Sequence, residues 1–376
     1  MPKFPLLLTL PLILLACSNG AEERRSTSNP QHPFAMESFG TFDEPWAMTF
    51  LPDGRLLVTE KKGALKIFSP SSRATIDVAG VPEVVDQGQG GFGDVVLGPG
   101  YASDRTIYLS WVEAGDNGTS GAVVARAKLM EAQGKARLDG LHIVWRQSPK
   151  VEGDGHFSQR IVFSPDGQYM FIGSGERQQF TPAQDMKANL GKIVRLRPDG
   201  SVPPDNPFAA RGGVTAQIWS LGHRNILGLA FDADGRLWEQ EMGPRGGDEV
   251  NLVKKGANYG YPIVSNGDHY SGEPIPDHPA RPEFEAPKVW WNPSISPAGL
   301  MIYSGGLFPQ WKGSLFLGAL SGEALVRVAL DGEKARKADQ WEMDNRIREV
   351  EQGPDGAIWL LEDGSGGRLL KLTPGE

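Results

Sequence analysis

Three consecutive polar residues, His223, Arg224 and Asn225, form the densest candidate for binding chemistry in the chain. The apolar segment LGLAF follows them and predicts a buried strand. DADG then predicts a tight hairpin turn with a two-residue type I′ loop, and RLWEQE predicts the returning strand. Because hairpin strands are antiparallel, the entrance of the first strand and the exit of the second lie side by side. We therefore expect Arg224 and the loop at Gly243–Pro244 to face one site.

Each of these polar residues has a functional and a structural interpretation. Arg224 and Asn225 together could hold an anionic or carbonyl-bearing ligand, although a salt bridge between neighbouring sheets explains Arg224 equally well. His156 lies in the Gly-rich loop GDGHF just before a predicted strand. A histidine there can act as a general base, because its ordinary pKa lies near neutrality. The alternative is a histidine held in a purely structural hydrogen bond.

The loop MGPRGGDEVNL offers oxygen ligands for a hard cation. Its Gly and Pro residues can leave backbone carbonyls free, and Asp248 and Glu249 add carboxylates, a donor set that suits Ca²⁺. The chain has no HExxH motif and a single cysteine, so zinc-type ligand clusters are not indicated. A solvated acidic loop is the alternative interpretation.

Two further features could contact a ligand. Arg346 and Arg348 alternate in DNRIREV, so on a strand both side chains lie on one face. Two guanidinium groups on one face favour an anion between them, such as a phosphate or polycarboxylate, although separate acidic partners would serve as well. Gln89, in a Gly-rich turn before a predicted strand, is a weaker candidate.

Six similar units must position these residues. Each is a polar turn, often Asp-Gly, followed by a strand rich in aromatic or β-branched residues, and the units recur about every 60 residues. They span 52–60, 103–111, 165–175, 233–241, 312–320 and 354–362. This recurrence predicts an all-β fold, a six-bladed β-propeller of four-stranded antiparallel blades over 34–376. A pair of β-sandwiches is the alternative.

The N-terminus has the pattern of a secreted, lipid-anchored protein. Residues 1–16 combine one lysine with a short apolar run and end in LLA before Cys17, which resembles a bacterial lipobox. We expect 1–16 to be a lipoprotein signal peptide, Cys17 to be lipidated and 17–33 to be a flexible tether. Ser18 favours the outer membrane, facing the periplasm. The net charge of −8 gives no basic footprint for nucleic acid.

Taken together, these motifs resemble the soluble pyrroloquinoline-quinone (PQQ) dependent glucose/sorbosone dehydrogenase family, most closely its aldose sugar dehydrogenase branch. The similarity extends over nearly the whole chain from residue 44. The segments that carry it best are 44–60, 190–208, 218–225, 243–262, 291–303 and 312–320.

The resemblance implies a propeller that binds PQQ and Ca²⁺ and oxidises an aldose at its anomeric carbon to a lactone. His156 and Arg224 are the implied catalytic residues, with His156 as the general base. The residues implied to contact the cofactor are Gln89, Arg224, Asn225, Tyr270, Arg346 and Arg348. The carbonyls of Gly243 and Pro244 would hold the cofactor's Ca²⁺, and Glu249 and Tyr259 a further Ca²⁺.

Two positions depart from the family pattern. Ser321 stands where a lysine is common, and Glu176 stands where an aspartate often assists the base. Both changes predict weaker PQQ binding or an altered substrate. No haem attachment motif occurs, so electrons are expected to pass to a separate, unidentified acceptor. The alternatives are a Ca²⁺-dependent propeller lactonase, which needs no arginine pair, and a lipid-anchored binding propeller without catalysis.

Overall fold

The structure is a computed structural model that describes residues 1–2 and 32–375. The predicted all-β class is confirmed, since strands dominate and helices are short. Cys17 and most of the predicted signal peptide and tether lie outside the described residues. Within the described part, no helix has the length and apolar character needed to cross a bilayer.

The strands of the described residues are numbered in chain order. They are β1 (Phe34–Asp43), β2 (Pro45–Phe50), β3 (Leu56–Glu60), β4 (Ala64–Ser69), β5 (Ala74–Ala79), β6 (Phe92–Leu97), β7 (Thr106–Ala114), β8 (Ser120–Ala132), β9 (Lys135–Arg146), β10 (Ser158–Phe163), β11 (Met170–Ser174), β12 (Lys192–Leu196), β13 (Ile218–Leu221), β14 (Ile226–Phe231), β15 (Leu237–Glu241), β16 (Arg245–Gly246), β17 (Asp248–Leu252), β18 (Gly267–Asp268), β19 (Val289–Trp291), β20 (Pro297–Ile302), β21 (Leu315–Ala319), β22 (Ala324–Asp331), β23 (Lys334–Glu342), β24 (Ile347–Gln352), β25 (Ile358–Glu362) and β26 (Ser365–Pro374). One short α-helix, α1, spans Tyr101–Asp104. The 3-10 helices are Asp116–Gly118, Thr181–Ala183, Ala209–Arg211, Val214–Gln217, His278–Ala280 and Pro309–Trp311.

Most of these strands form four-stranded antiparallel sheets, as predicted. Their orders are β1-β26-β25-β24, β10-β11-β12-β13, β14-β15-β17-β19 and β20-β21-β22-β23. The remaining sheets are a two-stranded β16-β18 ribbon and an eight-stranded sheet, β2-β3-β4-β5-β9-β8-β7-β6. The eight-stranded sheet departs from the prediction of separate sheets. It arises because the start of β9 pairs in parallel with the end of β5, through Val78↔Ala136 and Ala79↔Arg137.

The six predicted turn–strand units all fold as strands, and they occupy equivalent positions. They correspond to β3, β7, β11, β15, β21 and β25, each the second strand of an antiparallel run of four. Five of them, all but β7, are buried at every residue. A strand covered on both faces reads as a continuous apolar run, and this explains why these strands dominated the sequence pattern.

The predicted hairpin at 227–241 forms, with a different turn. Phe231 of β14 pairs with Leu237 of β15. The Asp232 N–H donates to the Arg236 carbonyl at 3.0 Å, which leaves three residues in the loop. Gly235, at φ 78°, is the one residue of this loop with a positive φ. A type I′ turn needs positive φ at both central residues, so the predicted type was wrong and a three-residue loop with a left-handed Gly replaces it.

A second local expectation was also wrong. The segment KLMEAQGKARL at 128–138 reads as a strand end followed by a loop. Instead, it spans the hairpin between β8 and β9, with Ala132 opposite Lys135. Gln133 and Gly134, both at positive φ, make the turn. Gly134, which interrupts a helical spacing in this segment, is therefore the second residue of a two-residue hairpin turn.

The first strands of the antiparallel runs contact one another in a closed series. In sequence order, β2, β6, β10, β14, β20 and β24 each contact the next, and β24 contacts β2. Apolar clusters fill the spaces between neighbouring sheets; one of them joins Trp238 and Val250 to Leu317 and Val326. Such burial contributes about 1.5–3 kcal/mol per large side chain. The loops that precede the first strands therefore lie close together, and the candidate site lies among them.

Candidate active site

Two adjoining cavities contain most of the predicted site residues. The first, which we name the base cavity, has a volume of about 270 Å³ and is lined by His156, Glu176, Arg224, Pro244 and Tyr270, among others. The second, the arginine cavity, has a volume of about 430 Å³. Its lining includes Gln89, Asn225, Tyr270, Arg346 and Arg348. Tyr270 lines both, so residues from distant parts of the chain meet at one place.

His156 is held in a defined orientation within the base cavity. It lies in the loop before β10 with φ 50°, and it is buried at 4% exposure. Its Nδ1 contacts the Glu176 carboxylate, and its backbone N–H donates to Gln89 Oε1 at 2.8 Å. The contact with Glu176 fixes the proton on Nδ1. Nε2 is therefore the ring nitrogen available to a ligand hydroxyl.

The surroundings of His156 keep it neutral. Burial lowers its pKa, and this outweighs the opposing effect of the hydrogen bond that His156 donates to Glu176; nearby Arg224 lowers the pKa further. A neutral imidazole near pH 7 can accept a proton, as a general base must.

Glu176 reaches the base despite its extra methylene. It is fully buried, and its carboxylate also accepts the backbone N–H groups of Gln178 at 2.9 Å and Phe180 at 2.6 Å. These bonds fix the carboxylate, so the longer side chain still meets His156 Nδ1. The substitution therefore leaves the contact with the base intact, and its predicted effect on PQQ binding or on the substrate stays a prediction.

Arg224 lies against the Gly243–Pro244 loop, as the hairpin argument predicts. Its Nη1 donates to the Gly243 carbonyl at 2.6 Å and to the Met242 carbonyl at 2.9 Å. Its Nη2 lies 3.3 Å from the Tyr270 hydroxyl. The Glu241 carboxylate accepts the backbone N–H groups of Arg224 and Asn225, and this holds both side chains at the cavities.

The Arg346–Arg348 pair meets an anion that belongs to the protein. Arg346 Nε donates to Asp363 Oδ2 and Arg348 Nε to Asp363 Oδ1, both at 2.8 Å. Burial favours a raised pKa for Asp363, but the two arginines outweigh it and the pKa lies below its usual value. The expected anion between the guanidinium groups is therefore supplied by Asp363, which the sequence argument missed.

The arginine cavity nevertheless keeps an excess of positive charge. Its cations are Lys61, Arg346 and Arg348, and its carboxylates are Glu44 and Asp363. Lys61 Nζ donates only to a neutral group among the described residues, the Gly88 carbonyl at 2.7 Å. Lys61 was also missed, because it lies in a turn without a recognisable motif.

Glu249 and Tyr259 lie in neither cavity and belong to a separate buried cluster. Tyr259 stacks on His223, with ring centroids 4.6 Å apart. His223 Nδ1 lies 3.2 Å from Glu241 and 3.6 Å from Glu239. Ligand atoms of His223, Glu239 and Glu241 lie within 4.8 Å of one another. Sequence analysis named His223 among the candidate binding residues but missed the two glutamates.

The charges in this buried cluster are strongly coupled. Burial together with the neighbouring Glu241 raises the pKa of Glu239 to about 7 and raises that of Glu249 well above its usual value. Burial disfavours a charged His223, but the two glutamates outweigh it and raise its pKa to about 9. Glu239 Oε2 and Asn251 Oδ1 are buried without a hydrogen-bond partner, so two oxygen donors remain free for a cation.

Two other predicted ligand positions have different roles. Asp248 accepts the backbone N–H groups of Gly243, Ile295 and Ser296 at 2.7–2.8 Å, so it anchors the loop rather than presenting oxygens to a cation. Ser321 is exposed and its hydroxyl lies 2.8 Å from that of Ser296, which lines the arginine cavity. The missing lysine therefore leaves a small polar pair at the rim.

Comparisons with known proteins identify the family of the chain. The family model for glucose/sorbosone dehydrogenase matches residues 42–371. The chain belongs to the glucose/sorbosone dehydrogenase family. Aldose sugar dehydrogenase YliI of Escherichia coli is 41% identical over 340 residues, which cover 88% of this chain and 90% of that protein.

Solved structures extend the similarity to three dimensions. The soluble aldose sugar dehydrogenase of E. coli, in its apo form, is 39% identical with a TM-score of 0.85 and covers 91% of this chain and 100% of its own. The PQQ-bound aldose sugar dehydrogenase of Streptomyces coelicolor is 30% identical with a TM-score of 0.75, covering 89% and 96%. The family membership makes this chain an oxidoreductase.

Proposed function

We propose that this glucose/sorbosone dehydrogenase family member oxidises an aldose at its anomeric carbon to the lactone, with PQQ and Ca²⁺ as cofactors. The observation that carries the proposal is the junction of the two cavities at Tyr270. One cavity holds a neutral, oriented histidine, and the other holds an excess of cations. A hydroxyl to be deprotonated and an anionic redox cofactor would thus lie next to each other.

The residues present fit PQQ. The cofactor carries three carboxylates, and Arg346, Arg348 and Lys61 supply the charge-assisted donors such groups require. Arg224 Nε and Gln159 Oε1 are buried without hydrogen-bond partners. Gln159 lines the arginine cavity, so a polar ligand there can satisfy it.

The Gly243–Pro244 loop fits the cofactor's Ca²⁺. The Gly243 carbonyl already accepts a hydrogen bond from a cation, Arg224, so it presents its oxygen to positive charge. Calcium favours such hard oxygen ligands. We assign a further Ca²⁺ to the cluster of Glu249 and Tyr259, where free buried oxygens remain on Glu239 and Asn251.

When bound, PQQ would supply an ortho-quinone able to accept a hydride, and Ca²⁺ held by the Gly243 and Pro244 carbonyls would supply a Lewis acid. His156 Nε2 would take the proton of the anomeric hydroxyl while the hydride leaves the same carbon. The Glu176 carboxylate would stabilise the imidazolium that forms, because it contacts Nδ1 in a buried setting. The sugar loses one proton and one hydride and becomes the lactone, and the electrons then pass to a separate acceptor.

We propose a six-bladed propeller over 34–376 as the frame of this site. The eight-stranded sheet supports it, because the single β5–β9 parallel pair divides that sheet into two antiparallel runs of four. Together with the four separate sheets this gives six runs, whose first strands contact one another in a closed ring.

We also propose that the protein is anchored in the cell envelope through Cys17, facing the periplasm from the outer membrane. The support is the sequence alone: an apolar segment ending in LLA before Cys17, then the polar stretch to residue 33. The test is metabolic labelling with a tagged fatty acid. Cys17→Ser should lose the label and leave the membrane fraction, and a labelled variant contradicts the assignment.

One assay separates this function from its alternatives. Purified protein is mixed with glucose and a redox dye, with and without PQQ and Ca²⁺. Dye reduction that requires both additions supports the dehydrogenase. Lactone hydrolysis without PQQ would indicate a lactonase, although the Arg346–Arg348 pair argues against it. Sugar binding without either reaction would indicate a binding protein.

A further inference from the structure

A third cavity lies beside the active site and has the lining of a saccharide site. Its volume is about 690 Å³, larger than either active-site cavity. Trp290 lines it and is 48% exposed, although large aromatic side chains are usually buried. We name it the Trp290 cavity. An indole ring left open at a concave surface offers a flat apolar platform to a ligand.

The polar groups of the Trp290 cavity are free to bind. Asp268, Asp277 and Asn292 line it, and their side chains take no part in any hydrogen bond among the described residues. His278 lines it as well; this residue is 5% exposed, and its Nδ1 has no hydrogen-bond partner. His278 Nδ1 therefore has no competing hydrogen-bond partner among the described residues.

The walls of the cavity are stiff. Pro279, Pro282 and Pro287 line it, and each proline fixes one backbone dihedral angle. Because a preformed wall loses little conformational entropy on binding, it can hold a small ligand despite few contacts.

The chemistry of this lining selects a sugar ring. A pyranose has an apolar C–H face that stacks on an indole, and hydroxyl groups around its edge that both donate and accept. Carboxylates accept two or more such bonds, and the Asn292 amide does both. The lining contains no lysine or arginine, so a phosphate or carboxylate ligand is disfavoured.

One chain segment connects this cavity to the active site. Residues 269–271 line the base cavity, whereas Asn266 and Asp268 line the Trp290 cavity. Strand β18 in this segment pairs with β16, which directly follows Pro244. The two cavities therefore lie along one ribbon that begins at the loop of the proposed Ca²⁺ ligands.

We propose that the Trp290 cavity is a saccharide subsite that binds a pyranose unit of an oligosaccharide beyond the unit that is oxidised. Saccharide binding stands on the cavity alone, while its role as a subsite rests on the proposed function. In that role the reducing end of the saccharide would lie at His156 and a distal ring on Trp290.

The test measures binding and kinetics separately. Maltotriose is titrated calorimetrically into the protein prepared without PQQ and Ca²⁺, for wild type, Trp290→Ala, Trp290→Phe and the control Leu141→Ala. Leu141 is also an exposed apolar residue, on β9 outside the three cavities. Trp290→Ala should weaken binding about tenfold, since it removes the platform, and Trp290→Phe should retain most of the affinity. Leu141→Ala should bind as wild type does.

In the loaded enzyme, Trp290→Ala should raise the ratio of KM for maltotriose to KM for glucose by a similar factor. Wild type that binds no maltotriose, or Trp290→Ala that binds it as tightly, overturns the proposal. Binding of choline but not of maltotriose also overturns the proposal, because the aromatic and acidic lining would then bind a cation. Maltotriose binding without any aldose oxidation would contradict the proposed function but would still support saccharide binding in the Trp290 cavity.

Discussion

The arginine cavity and a second cavity, which we name the channel cavity, share four strands and carry opposite charge. The channel cavity, about 370 Å³ in volume, holds Asp94, Glu349 and Glu351 around a single cation, Arg160. Strands β2, β10, β14 and β24 contribute residues to both spaces. On β24, Arg348 lines the arginine cavity and the next residue, Glu349, lines the channel cavity, so adjacent residues contribute charges of opposite sign.

This contrast indicates where an anionic ligand binds. In the channel, Arg160 contacts Glu349, lies 3.6 Å from Asp94 and covers the Trp46 ring at 4.2 Å. Burial still raises the pKa of Glu349 to about 7 and that of Glu351 to about 8, because one cation serves three carboxylates. In the arginine cavity the cations are in excess, so a polycarboxylate is attracted to that cavity and repelled from the channel cavity.

The largest expected effect comes from removing the base beside the arginine cavity. His156→Asn should lower kcat for glucose about a thousandfold, since Nε2 would no longer accept the hydroxyl proton. PQQ titration should show that the variant still binds the cofactor. His142→Asn, an exposed histidine on β9, is the matched control and should retain full activity. Near-normal kcat in His156→Asn excludes it as the base.

The second prediction tests the charge contrast directly. Arg348→Met should weaken PQQ binding by roughly 10- to 100-fold, the value of a buried charge-assisted hydrogen bond. Glu351→Gln, on the same strand but facing the channel, should leave PQQ affinity unchanged. Both affinities are measured by fluorescence titration at saturating Ca²⁺, with circular dichroism to check folding. An equal loss of PQQ affinity in Arg348→Met and Glu351→Gln would contradict the difference in charge between the arginine cavity and the channel cavity.

The third prediction concerns the channel and pH. The folded chain keeps a proton on Glu351 up to about pH 8, whereas the unfolded chain loses it near the ordinary value of 4.5. Stability contributed by this residue is therefore present at low pH and lost as pH rises from about 5 to 8. Glu351 is partly exposed to the channel, so the loss is on the order of 1 kcal/mol.

Chemical denaturation at pH 5 and pH 8 measures this difference. Glu351→Gln should reduce the fall in unfolding free energy between the two pH values, because glutamine carries no titrating proton. Asp77→Asn, an exposed acid on β5, is the control and should leave the fall unaltered. A wild type and a Glu351→Gln variant with the same pH dependence contradict the pKa assignment.

The smallest effect is expected at the rim. Ser321→Lys should strengthen PQQ binding about two- to fivefold, because it adds an exposed cation beside the cation-rich cavity. Lys61→Ala should weaken it by at least as much, since Lys61 lines the cavity. Unchanged affinity in both would show that rim charge contributes nothing and that only Arg346, Arg348 and Arg224 matter.

Features that depend on local sequence could be predicted in this molecule, whereas contacts between residues far apart in the sequence could not. A polar turn, often Asp-Gly, before an apolar run identifies each second strand, and the hairpin at 227–241 correctly brings Arg224 to the Gly243 loop. The β5–β9 pairing could not be predicted, because only two residue pairs form it and they depend on tertiary placement. Asp363 and Lys61 carry no motif, so their approach to the arginines is visible only in the folded chain.

The pairing of β1 with β26 sets the order in which the protein can mature. Phe34 lies opposite Pro374, so β1 pairs with a strand that is far away in the sequence. During synthesis β1 has no partner in this sheet until β26 has been made, and contacts so distant in sequence form slowly. A chain truncated before residue 365 would lack this closing strand and expose a sheet edge to proteolysis and aggregation.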